Sequence, residues 1–141
     1  MLDCPPIFED PVAIKIVGDD ITAFHGKRSR QLRAFVAARS RYAEDELASS
    51  VAGGVSQYVV LGAGLDTFAY RNPYSPRLRV FEVDHPDTQA WKQECLRAAG
   101  IAIPESVTFL PVDFAKKDSP RFWRKLLNLT ESRRRSSRCL K

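Results

Sequence analysis

Tyr58-Val59-Val60-Leu61 is a short run of strand formers that stops abruptly at Gly62-Ala63-Gly64, and this junction constrains the fold more than any other part of the chain. A compact apolar run that ends in glycines and gives way to polar residues reads as a buried parallel strand followed by a tight turn. Two more runs repeat the pattern: Leu78–Val83 leads into Asp84, and Val107–Val112 leads into Asp113. A helix fits between them. Pro86 suits a first helical turn, Trp91, Cys95, Ala98 and Ala99 are spaced to share one core-facing side, and Gly100 suits the helix end. Strand, turn, strand, helix, strand is the order of an α/β layered fold with a parallel sheet.

Before the first strand, a long helix is expected from Ser29 to Ala52, stopped by Gly53-Gly54. Leu32, Phe35, Val36, Ala43 and Leu47 fall on one helical stripe that should face a core. Arg39 sits in the middle of that stripe. A guanidinium there either pairs or snorkels within the protein, or meets an anionic ligand. Pro5, Pro6 and Pro11 make residues 1–26 irregular, with a short helix expected near Val12–Val17. A last amphipathic helix is expected over Pro120–Leu129.

The 141 residues suit one domain. Three separated cysteines (Cys4, Cys95 and Cys139) exclude a disulfide framework and a paired-cysteine metal site. No basic, apolar leader and no membrane-length apolar run is present, so a cytoplasmic protein without membrane contact is expected. The net charge of +5 is localised: residues 121–141 carry +7 and the other 120 carry −2. The basicity belongs to a Ser/Arg-rich tail, which makes nucleic acid a poor candidate partner for the domain.

In open parallel sheets, ligands bind beyond the carboxyl ends of the strands. Gly62 and Gly64, Asp84 and Asp113 all fall at such ends. Asp84 follows Gly64 by 20 residues, the spacing at which an acid meets a ribose in nucleotide-binding α/β folds. The plainer alternative is a turn that needs glycine, with aspartates that cap helices. A dinucleotide site favours a third glycine, where Thr67 stands, and Asp66 beside the turn would repel a pyrophosphate. S-adenosylmethionine carries a ribose, an ammonium and a carboxylate but no phosphate. Arg39 could hold that carboxylate, so the residues suit this cofactor better than NAD in an oxidoreductase.

The strings Val59-Val60-Leu61-Gly62-Ala63-Gly64-Leu65-Asp66-Thr67-Phe68-Ala69-Tyr70-Arg71 and Val80-Phe81-Glu82-Val83-Asp84-His85-Pro86 resemble the leucine carboxyl methyltransferase family, in its bacterial branch of S-adenosylmethionine-dependent O-methyltransferases. The resemblance spans roughly residues 5–118 and implies a Rossmann-like class I methyltransferase fold. By position it implies that Arg39 holds the cofactor carboxylate, that Gly62 and Gly64 admit the cofactor to the first turn, and that Asp84 binds the ribose. It implies that Asp113 and Phe114 flank the adenine, and gives Tyr70 and Arg71 structural roles. The acceptor would be a small-molecule or peptide carboxylate or hydroxyl. No catalytic base and no metal site can be named. The family pattern is not found after Lys117. Residues 1–118 are therefore expected to be a cofactor-binding half truncated after the third strand, and 119–141 a helix and tail foreign to the family. Such a chain could be a non-catalytic remnant, and its open sheet could drive self-association.

Overall fold

A computed structural model describes residues 8–18, 27–115 and 124. Its elements in order are α1 (Pro11–Val17), α2 (Lys27–Ala52), β1 (Gln57–Leu61), a 3-10 turn (Phe68–Tyr70), β2 (Arg79–Asp84), α3 (Pro86–Ala98) and β3 (Val107–Pro111). The helix expected at Pro120–Leu129, the basic tail and the boundary near residue 118 fall outside the described residues, Arg124 apart.

The three strands form one parallel sheet in the order β1-β2-β3, as expected of a Rossmann-like α/β arrangement. Register places Leu61 beside Val83, and Asp84 beside Pro111. All three strands therefore finish at one level. Strand residues alternate between faces. Val80 joins Leu47, Phe68, Ala69 and Leu78 in one core, while Phe81, Val83 and Leu110 form a second.

β2 is the central strand, with residues 80–83 fully buried. One of them is Glu82, and a carboxylate in such a place needs compensation. It comes from α3. Lys92 Nζ lies 2.7 Å from Glu82 Oε2, and Gln89 Nε2 donates to the Glu82 carbonyl at 2.9 Å. The residues that α3 buries are accordingly Gln89, Lys92 and Leu96. Trp91 is 55% exposed and Cys95 half-buried, which corrects the expectation that Trp91 and Cys95 define the inner side. The polar groups of the facing strand chose the polar side of this helix. α3 ends as expected: Gly100 takes φ +66°, and Ile101 N–H donates to the Leu96 carbonyl at 2.9 Å.

α2 also departs from its expected packing. Its 26 residues make it about 39 Å long at 1.5 Å per residue, whereas a five- or six-residue strand spans about 17–20 Å. Only its carboxyl-terminal part can lie against such a sheet. Leu47 is buried and Val51 packs beside it, while Leu32 (64%), Phe35 (67%) and Val36 (41%) are exposed. Arg39 therefore lies on a stripe that is itself open to solvent.

Candidate functional site at the strand ends

The turn after β1 is fixed by backbone hydrogen bonds to the neighbouring strand. Gly62 N–H donates to the Val83 carbonyl at 2.8 Å, and Val112 N–H donates to the Asp84 carbonyl at 2.8 Å from the other side. Gly62 and Gly64 adopt φ of +63° and +45°, which side chains other than hydrogen strongly disfavour. A Cβ on Gly62 would meet nothing within 4 Å, and one on Gly64 only a carbonyl oxygen at 3.9 Å. The glycines thus serve the backbone conformation, and the surface over them is open to a ligand. Gly64→Ala should cost roughly 1–2 kcal/mol through its left-handed conformation, read as a lower midpoint in urea unfolding.

Asp84 is the hub of the strand ends. Its Oδ2 accepts from Gly64 N–H at 2.6 Å and its Oδ1 from His85 N–H at 2.7 Å. A carboxylate offers about four lone-pair sites, so roughly two remain for hydroxyl donors. Asp113 stands at the end of the next strand. Its Oδ1 accepts from Ala115 N–H at 3.0 Å, and its Oδ2 lies 4.0 Å from His85 Nε2. Phe114 beside it is 54% exposed. The structure therefore gathers Gly62, Gly64, Asp84, Asp113 and Phe114 at adjoining strand ends. Arg39 is not joined to them: it is exposed on α2 and forms no ion pair or hydrogen bond among the described residues.

The rest of the turn is built from groups that bind protein. Asp66 Oδ1 accepts from Phe68 N–H at 3.0 Å and so starts the 3-10 turn. Thr67 is buried and its hydroxyl donates to Asp10. Asp10 also caps α1 through Ala13 N–H at 2.9 Å. Arg71 donates from Nη1 and Nη2 to the two Glu44 oxygens at 2.9 and 2.5 Å, approaches Asp10 at 3.5 Å and stacks over Phe8 at 4.8 Å. Burial works against this guanidinium, but the Glu44 hydrogen bonds and the Asp10 charge outweigh it and raise its pKa further. The structural role expected of Arg71 is seen directly: it ties α2 and the Asp10 segment to the turn.

Reading the residues alone overlooked a buried group beneath the site. Tyr70 O–H donates to Glu82 Oε2 at 3.2 Å, and Lys92 Nζ sits 5.2 Å from the Tyr70 ring centre. Lys92 and Glu82 are at ion-pair distance, yet Nζ is not aligned for a hydrogen bond and Glu82 Oε1 has no hydrogen-bond partner among the described residues. Burial holds the Glu82 carboxyl above its usual range, against the pull of Lys92. Burial, then the Glu82 charge, drives the Tyr70 phenol far upward. One signal was available: an acid in the middle of the run Val80-Phe81-Glu82-Val83.

Among the described residues, no helix is long and apolar enough to cross a membrane, and no group of three or more His, Cys, Asp or Glu is placed to hold a metal. Comparison with known proteins gives the geometry a context. A relative from Bacillus subtilis (strain 168), named "Putative S-adenosyl-L-methionine-dependent methyltransferase YktD", is 40% identical over 110 residues, covering 77% of this chain and 36% of the relative. Relatives with the same general name occur in Parafrankia sp. (strain EAN1pec), 38% identical over 86 residues (61% of this chain, 28% of the relative), and in Mycolicibacterium gilvum (strain PYR-GCK), 40% identical over 87 residues (62% and 35%). The chain thus spans about a third of the length of these curated relatives. The family model described as leucine carboxyl methyltransferase matches residues 3–128, nearly the whole chain, and the protein belongs to that family.

Proposed function

We propose that the strand ends bind S-adenosylmethionine and that the chain serves as the cofactor-binding part of an O-methyltransferase. One observation carries the reading: the Asp84 carboxylate is held against Gly64 N–H at 2.6 Å, which locks an acid beside an open glycine turn. The names of the relatives support the choice of cofactor. The donor set suits it. Asp84 keeps acceptor sites for ribose hydroxyls, and no Cβ blocks approach to Gly62 and Gly64. Asp113 can accept from the exocyclic amine of an adenine, with Phe114 against the ring. Arg39, exposed one helix away, is the cation assigned to the cofactor carboxylate.

Bound there, the cofactor supplies a methyl group on a sulfonium centre. The protein's contribution is to hold that donor in a fixed direction toward the acceptor, since positioning is the main source of rate for such a displacement. An acceptor carboxylate is already ionised at neutral pH and needs no base, whereas a hydroxyl acceptor requires one. A small-molecule or peptide carboxylate or hydroxyl in the cytoplasm is the proposed substrate class.

Calorimetric titration with S-adenosylhomocysteine tests the reading. Asp84→Ala and Arg39→Ala should each weaken binding by roughly 1–3 kcal/mol, the value of a charge-assisted hydrogen bond. Affinity unchanged in both variants would displace the site. Thermal protection by NADH in place of S-adenosylhomocysteine would point to an oxidoreductase.

A further inference from the structure

The Phe8–Gly18 segment is fastened to the glycine turn through Asp10. No residue of α1 is buried. Asp10 Oδ1 accepts from Ala13 N–H at 2.9 Å and so caps α1, and Oδ2 accepts from the buried Thr67 hydroxyl. Arg71 Nε stands 3.5 Å from Asp10 Oδ1, and its guanidinium lies 4.8 Å from the Phe8 ring centre. Thr67 belongs to the loop that begins at Gly62. Asp66 N–H donates to the Ala63 carbonyl at 2.7 Å, and Tyr70 N–H to the Thr67 carbonyl at 3.0 Å. Within that loop Gly64 N–H donates to Asp84 at 2.6 Å. α1 also comes against α3, the helix that leaves the sheet just after Asp84. The segment therefore joins the turn and the helix that depart from the two sides of the Gly64–Asp84 bond.

We propose that Asp10 is a positioning residue for the cofactor site: through the Thr67 hydroxyl it couples the Phe8–Gly18 segment to the glycine turn, and the segment acts as a strap that tightens when the turn is held by a bound nucleoside. The inference rests on the reading of the strand ends as an S-adenosylmethionine site. A ligand that bridges Asp84 and the Gly62–Gly64 turn fixes the turn, and a fixed turn presents the Thr67 hydroxyl to Asp10 in one place. Coupling of this kind is reciprocal: what the closed strap adds to ligand binding, the ligand returns to strap closure. A helix with no buried residue, attached through a few polar groups, also belongs to the low-stability parts of a fold, which open locally while the sheet stays intact. The strap therefore acts on the rate at which the ligand leaves.

Hydrogen–deuterium exchange of the whole chain, with and without S-adenosylhomocysteine, reads the coupling. Saturating ligand should slow exchange in the turn at 62–67 and also slow the amides of 8–18 by at least about fivefold, the lower end of coupling between linked sites. Thr67→Val keeps the shape of the side chain and removes the hydroxyl. In that variant the ligand should still protect the turn, protection of 8–18 should be lost, and S-adenosylhomocysteine should dissociate at least about fivefold faster. Thr67→Ser returns the hydroxyl and should restore both properties. The wild-type exchange pattern needs no variant, so it tests the strap even where Thr67→Val folds poorly. Protection of the turn without 8–18, or protection of 8–18 that survives in folded Thr67→Val, overturns the strap and leaves the cofactor reading in place. A wild-type chain that shows neither protection nor binding heat with S-adenosylhomocysteine overturns the cofactor reading, and the strap with it.

Discussion

Lys92→Met is expected to lower the free energy of unfolding by about 3–5 kcal/mol, the usual consequence of stripping one partner from a buried ion pair. Domains of this size are stable by only about 5–15 kcal/mol, so the loss would be a large share of the total. Glu82 is fully buried on the central strand, and Lys92 supplies the only opposite charge within ion-pair distance of it among the described residues. The pH dependence has a definite sign. Burial raises the Glu82 pKa, so the folded state holds this proton more readily than the unfolded chain does. The stability it contributes is complete below the unfolded value and declines as pH rises through the raised one. Without Lys92 that value rises further. The deficit of Lys92→Met should therefore be smaller at about pH 5 than at about pH 8. Adding Glu82→Leu should restore most of the loss, because a well-packed apolar pair can replace a buried ionic one. Urea unfolding at the two pH values checks all three statements, and a single variant within about 0.5 kcal/mol of wild type at pH 8 would refute them.

Arg71→Leu should cost about 2–3 kcal/mol, from the loss of charge-assisted hydrogen bonds to Glu44 and the partial desolvation of the acids left behind. Glu44 and Asp10 are only 27% and 17% exposed at their side chains, so solvent makes up little of what is lost. Arg71→Lys should recover part of the loss and no more. A point ammonium cannot span both Glu44 oxygens or stack flat on Phe8 as the planar guanidinium does. Full recovery by lysine would show that charge alone matters. Protease sensitivity of the Phe8–Gly18 stretch offers a second readout, since Asp10 and Phe8 both lean on Arg71.

The features most legible in the sequence are those set by neighbours along the chain. The three strands, the left-handed glycines and the aspartates at the strand ends depend on runs of four to six residues, and the structure places them within a residue or two of expectation. The inner face of α3 was not legible in this way. Spacing and hydropathy favoured Trp91, while the buried side is set by Glu82, whose demand for Lys92 and Gln89 arises only once strand and helix face each other. The stripe on α2 misled for a different reason. Periodicity marks a helical face but not the extent of the sheet beside it, so Leu47 is covered and Phe35 is not. Arg39 belongs to that uncovered stretch. Its assignment comes from resemblance and from its chemistry, and the titration with Arg39→Ala tests it directly.

The strand order has a consequence for how the site breathes. Among the described residues β2 alone is clamped on both flanks, so its amides should be the last of these three strands to exchange with deuterium. Asp84 sits at the tip of this slowest strand, while the glycine loop follows β1, which among the described residues is paired along one margin only. The glycine turn is nonetheless tied to that slow strand through Gly62 N–H to the Val83 carbonyl and Gly64 N–H to Asp84 Oδ2, so fraying at the outer margin of β1 should leave the turn and the acid together.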